Sequence, residues 1–443
     1  MEVKLNRIKE LNAKFDDCRC NRIAQHAAMT NGIDKAAYNK KIEGEKPSSF
    51  SITLKQGDIT NQKQSGRCWM FAALNTFRFR IINELNLKTF ELSQSYPLFY
   101  DKLEKSNYFL NSILKTLDED QDSRLMAHLL KDPLGDGGQW DMFVNLVKKY
   151  GVVPKDVMPE SANSSCTRFM DEYLTKLLRN DACKLRTAYK EGASKETLDE
   201  MVLEFMEEIH RALCISLGTP PEKFDFAVYD KDDNYMGEKN LTPVEFFNKY
   251  VKLDLDEYIS IINAPTKDKP YNDTYTVDFL GNVIEGKLVK YINLPIDELK
   301  KAAINQLKAG EPVWFGCDVG QFFSRDGYVL DVDAMKVDDL FNVSFGMNKE
   351  ERLDYGESLM THAMVFMGVD LDENGNPIKW KVENSWGKDA GKDGYLVMTD
   401  EWFDEYMYQV AINKKYLSEE ILKNWEKEPK HLKPWDPMGS LAR

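Results

Sequence analysis

The 443-residue sequence has little histidine, only five residues, and its seven cysteines are scattered. Cys18-Arg19-Cys20 is the one close pair. It is too tight for a zinc knuckle and no second pair accompanies it, so metal-ligand spacing is missing and no metal is expected. An odd cysteine count points to free thiols in a reducing compartment, and hence to a cytoplasmic protein. The opening Met1-Glu2-Val3-Lys4-Leu5-Asn6 lacks an apolar signal core. No apolar run approaches the roughly 20 residues that span a bilayer, so a helical membrane partner region is not expected. Positive charge is also short. Lys and Arg number 59 against 73 Asp and Glu, a net charge of -14. A general nucleic-acid surface needs clustered Lys and Arg, so that class of partner is not expected. Internal repeats and low-complexity tracts are missing too.

What is present suits a large soluble core, with 42% hydrophobic and 12% aromatic residues. The length allows two or three domains, or one large domain carrying an insertion. The stretch that organises the chain is Gln62-Lys63-Gln64-Ser65-Gly66-Arg67-Cys68-Trp69. Met70, Leu74, Phe77, Ile81 and Leu85 then recur at helical spacing. Cys68 is therefore expected in the first turn of a helix, where unpaired N–H groups and the helix dipole favour a thiolate. The competing reading of a lone cysteine is a small inert hydrophobe opening a core helix.

In chain order, residues 1–50 read as a polar, helix-prone arm. A weakly alternating strand is expected over Ser51 to Asp58, then mainly helix across 51–160, including Gln139 to Lys149. Leu134-Gly135-Asp136-Gly137-Gly138 reads as a turn, since a phosphate loop would need a Gly-Lys-Ser/Thr ending. Residues 161–285 read as a helical, architectural insertion without catalytic groups. Its two amphipathic helices are expected over Arg168 to Arg179 and Lys195 to Leu217, and a capping box at Thr242-Pro243-Val244-Glu245 starts another. Residues 286–415 turn to strands, forming an antiparallel sheet from Glu311 to Asp318, His362 to Val369, Ile378 to Val382 and Gly394 to Thr399. Residues 416–443 are expected to be a helix from Ser418 and a tail. The fold class is thus α+β.

The chemistry rests on side chains far apart in sequence. His362 opens one expected strand, and Asn384 comes just after the next. An Asn there can accept from one imidazole nitrogen and leave the other to face a nucleophile, with Trp386 shielding that bond from water. Gln62, six residues before Cys68, is placed to donate to a developing oxyanion together with the Cys68 N–H. Cys, His, Asn and Gln together suit acyl transfer through a thioester.

In order and context, Gln62, Gly66-Cys68-Trp69, Gly137-Gly138, His362 and Asn384-Ser385-Trp386-Gly387 resemble the papain-like cysteine peptidases. Ser65 stands where the secreted members carry a disulfide cysteine, and the gap from Cys68 to His362 is far longer than theirs. Both departures, and the ending Lys433-Pro434-Trp435-Asp436-Pro437-Met438-Gly439-Ser440-Leu441-Ala442-Arg443, resemble the bleomycin hydrolase and aminopeptidase C branch.

The resemblance implies a two-subdomain papain-like fold and a cytoplasmic thiol aminopeptidase acting on peptides, without cofactor, assembled as a homohexamer. Cys68 would be the nucleophile, His362 the base and then acid, Asn384 its orienter and Gln62 an oxyanion donor. Gly137, Gly138 and Trp386 would contact substrate. The branch's bleomycin hydrolysis is a promiscuous amide hydrolysis that this chain would share only if its cleft admits the drug. An extended tail would thread into the cleft. If the enzyme trims Arg443, the Ala442 carboxylate would clamp the substrate's ammonium. The same four residues would also serve an acyltransferase, and an inert scaffold is the remaining alternative.

Overall fold

The structure is a computed structural model that describes residues 1–324 and 327–442. A helical half and a sheet half meet along the helix Cys68–Glu84. That helix is buried around its whole circumference from Cys68 to Arg78, not only along the expected stripe. The cause is its place in the middle of the molecule, where helices pack on one side and strands on the other. Ser95–Lys115, Arg124–Lys131 and Trp140–Tyr150 complete the helical half. Gln139 immediately precedes the last of these and Gly151, at φ 74°, ends it.

Among the described residues the sheet half is one 12-stranded sheet. Val313–Cys317 lies between His362–Leu371 and Met407–Asn413, antiparallel to both. Pro377–Glu383 and Tyr395–Thr399 continue outward from the histidine strand. Asp372-Glu373-Asn374-Gly375-Asn376 makes the turn, with Asp372 accepting from the Asn374 and Asn376 amides and Gly375 in the left-handed region. Alternation along these strands feeds two apolar cores. Ala363, Val365 and Met367 face the helical half, whereas Met364 and Phe366 join the opposite core with Val313, Phe315 and the helix Ile296–Lys308.

Three expectations need correction. Ser51 to Asp58 forms only the two-residue strand Ile52–Thr53, because beyond it the chain leaves the sheet edge to enter the nucleophile loop. The 161–285 segment is helical through Arg168–Lys190 and Lys195–Leu217, then forms the hairpin Phe224–Tyr229 with Tyr235–Leu241. Its last part supplies Tyr258–Ile262 and Thr274–Val277 to the main sheet, as the β-branched, fully apolar run Ile261-Ile262 favours. The tail is neither extended nor frayed. Pro437–Ala442 is a tight 3₁₀ turn, with Asp436 capping the Met438 amide and paired to the buried Lys269.

Candidate active site

Cys68 is the first residue of its helix and 4% exposed. Its side chain meets the backbone N–H groups of Ala363, Trp69 and Cys68 itself. Ala363 is the neighbour of His362 on the adjacent strand, so helix and strand bring Cys68 to the start of the His362 strand from far away in sequence. His362 Nε2 lies 2.9 Å from Asn384 Oδ1. That oxygen also accepts the Ser385 amide at 2.8 Å, which fixes the carboxamide's orientation. Nε2 therefore donates, and Nδ1 is left to accept a proton. Trp386 covers the pair, its ring 5.0 Å from the imidazole.

Burial alone opposes charge here. With each group facing a neutral partner, it pushes the thiol up to about 11 and the imidazole down to about 4, against which the Asn384 bond raises the imidazole. Proton transfer creates thiolate and imidazolium together. At about 4 Å their attraction is about 4 kcal/mol for an effective dielectric near 20, rising steeply as water is excluded. The helix dipole adds up to about 2 kcal/mol. Together these terms offset about 6 of the roughly 9.5 kcal/mol that separates a thiol at about 11 from an imidazole at about 4, so each charge is stabilised chiefly by the other.

Gln62 is tied to the far wall through Ser385. The Gln62 backbone N–H donates to the Ser385 carbonyl at 2.8 Å, and Ser385 Oγ donates to Gln62 Oε1 at 2.8 Å. Gln62 Nε2 donates to Ser65 O at 2.7 Å, leaving one N–H for an oxyanion. Arg67, fully buried, locks the loop by a two-point pair with Glu160 at 3.0 and 2.8 Å.

Residue reasoning missed the hub of this wall. Asp136 Oδ2 accepts the Gly66 amide at 2.7 Å and the Thr167 hydroxyl at 2.5 Å, while Oδ1 lies 2.8 Å from Lys102. The Asp136 carbonyl accepts Trp69 Nε1–H at 2.7 Å. Lys102 also pairs with Asp171, so the segment read as purely architectural reaches the catalytic loop through Thr167 and Asp171. These pairings hold the Asp136 carboxyl well below the usual carboxylate range despite burial. No sequence signal marked Asp136, because its partners are backbone groups and residues from three separate stretches.

The glycine pair has mixed duties. The Gly137 carbonyl accepts from Lys105 at 2.6 Å. A Cβ on Gly138 would come 2.5 Å from the Trp69 indole, so glycine is required for that approach. The tail spans the cleft beside them. Gln139 Nε2 donates to the Met438 carbonyl at 3.3 Å, and Ser440 Oγ donates to the Met360 carbonyl at 2.8 Å, two residues before His362. Ala442 lines a small cavity of about 100 Å³ with Gly135 and Lys105. Arg443 lies outside the described residues. Among the described residues no group of three or more His, Cys, Asp or Glu is arranged to hold a metal ion.

The model of the Peptidase C1-like family matches residues 2–439. Aminopeptidase C of Streptococcus thermophilus is 51% identical over 433 residues, covering 98% of this chain and 96% of that protein. Bleomycin hydrolase of Mus musculus is 44% identical over 429 residues, covering 95% and 94%. The crystal structure of pepw from Lactobacillus rhamnosis superposes with a TM-score of 0.97 at 51% identity, covering 99% of both chains. With the family model spanning nearly the whole sequence and relatives this similar along their full lengths, the chain belongs to the Peptidase C1-like family, in its aminopeptidase C and bleomycin hydrolase branch.

Proposed function

We propose that this protein is a cysteine aminopeptidase that removes N-terminal residues from peptides through a thioester. The observation that carries the reading is the His362–Asn384 bond beside a helix-opening Cys68 whose thiol meets the Ala363 amide. Cys68 attacks the first peptide carbonyl and passes its proton to His362. Gln62 and the Cys68 N–H stabilise the oxyanion. His362 then protonates the leaving amine, and water, deprotonated by His362, releases the first residue. Asn384 keeps the imidazole in the tautomer this cycle needs.

The tail supports exopeptidase action. It bridges Gln139 on one wall and Met360 on the other, closing the side of the cleft where residues preceding the cleaved bond would run. Gly138 pairs with substrate backbone, since the Gly137 carbonyl is already held by Lys105. Trp386 both shields the His362–Asn384 bond and borders the leaving side. The free thiols fit a cytoplasmic setting. Among the described residues no helix is long and apolar enough to cross a membrane. The exposed Leu5, Leu11, Ile23 and Met29 of the arm fit burial against other copies, as in a homohexamer. Bleomycin hydrolysis would be the same amide chemistry on a bulkier amine.

The test is hydrolysis of free and N-acetylated aminoacyl amides by the purified protein. Turnover of the free amine alone supports the reading. Equal turnover of both makes it an endopeptidase-like enzyme, and transfer to an added amine in preference to water makes it an acyltransferase.

A further inference from the structure

His362 sits on the last rung of its ladder with the neighbouring strand. Its Cα partner is Cys317, which closes Val313–Cys317, and His362 itself opens His362–Leu371. Terminal rungs are the part of a sheet that frays first. The segment Ser358 to Thr361, which leads into the histidine, lies outside helix and strand. Asp318, the residue after Cys317, binds that segment at several points. Its Oδ1 accepts the Thr361 hydroxyl at 3.0 Å. Its Oδ2 accepts the Ser358 hydroxyl at 2.9 Å, the Leu359 amide at 3.3 Å and Gln321 Nε2–H at 3.2 Å. Asp318 is 6% exposed, and a carboxylate so buried is costly unless donors meet its lone pairs. Here most of the donors come from the segment just before His362. Backbone bonds fix the carboxylate's own position, with the Asp318 amide on the Tyr406 carbonyl at 3.1 Å and the Thr361 amide on the Cys317 carbonyl at 2.9 Å. Ser358 Oγ is held in turn by the Tyr408 hydroxyl at 2.6 Å.

Resting on the reading of His362 as the base, we propose that Asp318 is a positioning residue for the reaction: its carboxylate clamps Ser358 to Thr361 and so sets the backbone from which the imidazole reaches Cys68. The sheet fixes the strand, and Asp318 fixes its first rung. It acts through His362 and not on the substrate. A displacement near 1 Å costs about 10² in rate, which sets the scale of the effect.

The test combines turnover of alanine amide, its pH profile, and labelling of Cys68 by iodoacetamide at about pH 5 to 6. Asp318→Ala should lower kcat by about 10² with KM little changed. A misplaced imidazolium no longer stabilises the thiolate, so Cys68 should label more slowly and the acid limb of kcat/KM should move up by about a pH unit. Asp318→Asn keeps an oxygen for the Leu359 amide, and its NH₂ can donate to a Thr361 hydroxyl turned to accept. It should recover most of the loss. Thr361→Val removes one bond alone and should move the same readouts in the same direction by less. Unchanged kcat and acid limb in Asp318→Ala overturn the proposal. So does a fall in kcat and Tm that leaves Cys68 labelling and the acid limb where they were, since the role would then be structural only. An Asp318→Asn variant as impaired as Asp318→Ala also overturns it. If Asp318→Ala does not fold, Thr361→Val decides, and an unmoved acid limb there is the contrary result. The unaltered enzyme separates the two levels. Its failure to hydrolyse alanine amide contradicts the aminopeptidase reading, whereas turnover that the variants leave unchanged contradicts the role of Asp318 alone.

Discussion

The two walls of the cleft are held by different physics. On the sheet wall, His362 and Asn384 stand at the ends of adjacent strands whose register is fixed by backbone ladders and apolar packing on both faces. On the helical wall, the loop before Cys68 has only isolated backbone bridges, at Asn61–Trp386 and Gln64–Cys166, and the glycine loop lies outside the strands. Buried ions do most of the holding, with Lys102 and Lys105 on the carbonyls of Gly135 and Gly137, Asp136 on Gly66, and Arg67 on Glu160. A strand end inherits its precision from the sheet. A loop must be given its precision by side chains, and charge-assisted bonds in a dry site are the strongest available. The sheet wall should therefore tolerate loss of single side chains structurally, while the helical wall should lose geometry as well as chemistry.

Removing His362, the proposed base, sharpens the contrast most. His362→Ala should cut kcat by about 10⁴ to 10⁶, with thermal stability close to that of the unaltered protein. A large fall in Tm would mean the imidazole also holds the sheet wall together. Next comes Gln62, the proposed oxyanion donor. Gln62→Ala should lower kcat by about 10² to 10³ while Cys68 still alkylates. Full activity would place the oxyanion site elsewhere.

Asp136→Ala should come third, at about 10²-fold in kcat, the scale of a displacement near 1 Å. Asp136→Asn keeps an oxygen for the Gly66 amide and should recover most of that loss, with KM little changed. If Asn is as impaired as Ala, the ion pair with Lys102 matters and the Gly66 bond does not.

These outcomes bear on how much of the molecule is legible in its sequence. Helices and strands can be read because periodicity is local, and short motifs single out Cys68, His362, Asn384 and Gln62, of which the structure joins His362 to Asn384. The helix Lys195–Leu217 and the capping box at Thr242 fall where their patterns place them. Asp136, Thr167 and Asp171 cannot be read, since their meaning lies in long-range pairing. The tail's 3₁₀ turn is hidden for the same reason. Its anchors, Lys269, Gln139 and Met360, come from other segments. The strands Tyr258–Ile262 and Thr274–Val277 escape because helices precede them and only the sheet gives them partners.

The smallest expected effect concerns stability. Asp141, in the first turn of Trp140–Tyr150, is pushed up to about 6 by burial, against which the Lys290 amide works. Its folded pKa exceeds the unfolded value near 3.9, so the folded state binds the extra proton between those values. The group's stability is fully present below about pH 4 and is lost as pH rises through about 6. Asp141→Asn, which never ionises, should stabilise the protein at pH 7 to 8 by up to about 3 kcal/mol and have little effect at pH 4. Melting curves at the two pH values check it, and equal shifts at both would remove ionisation as the cause.

The ion pair of Cys68 and His362 is the claim on which the mechanism stands, and alkylation reads it directly. A thiol in water titrates near 8.5 and is almost wholly protonated at pH 5 to 6. Iodoacetamide at that pH, with mass mapping of all seven thiols afterwards, should label Cys68 faster than the other six. Equal labelling of all seven, or a Cys68 rate that climbs only above pH 9 as burial alone would dictate, would contradict the account.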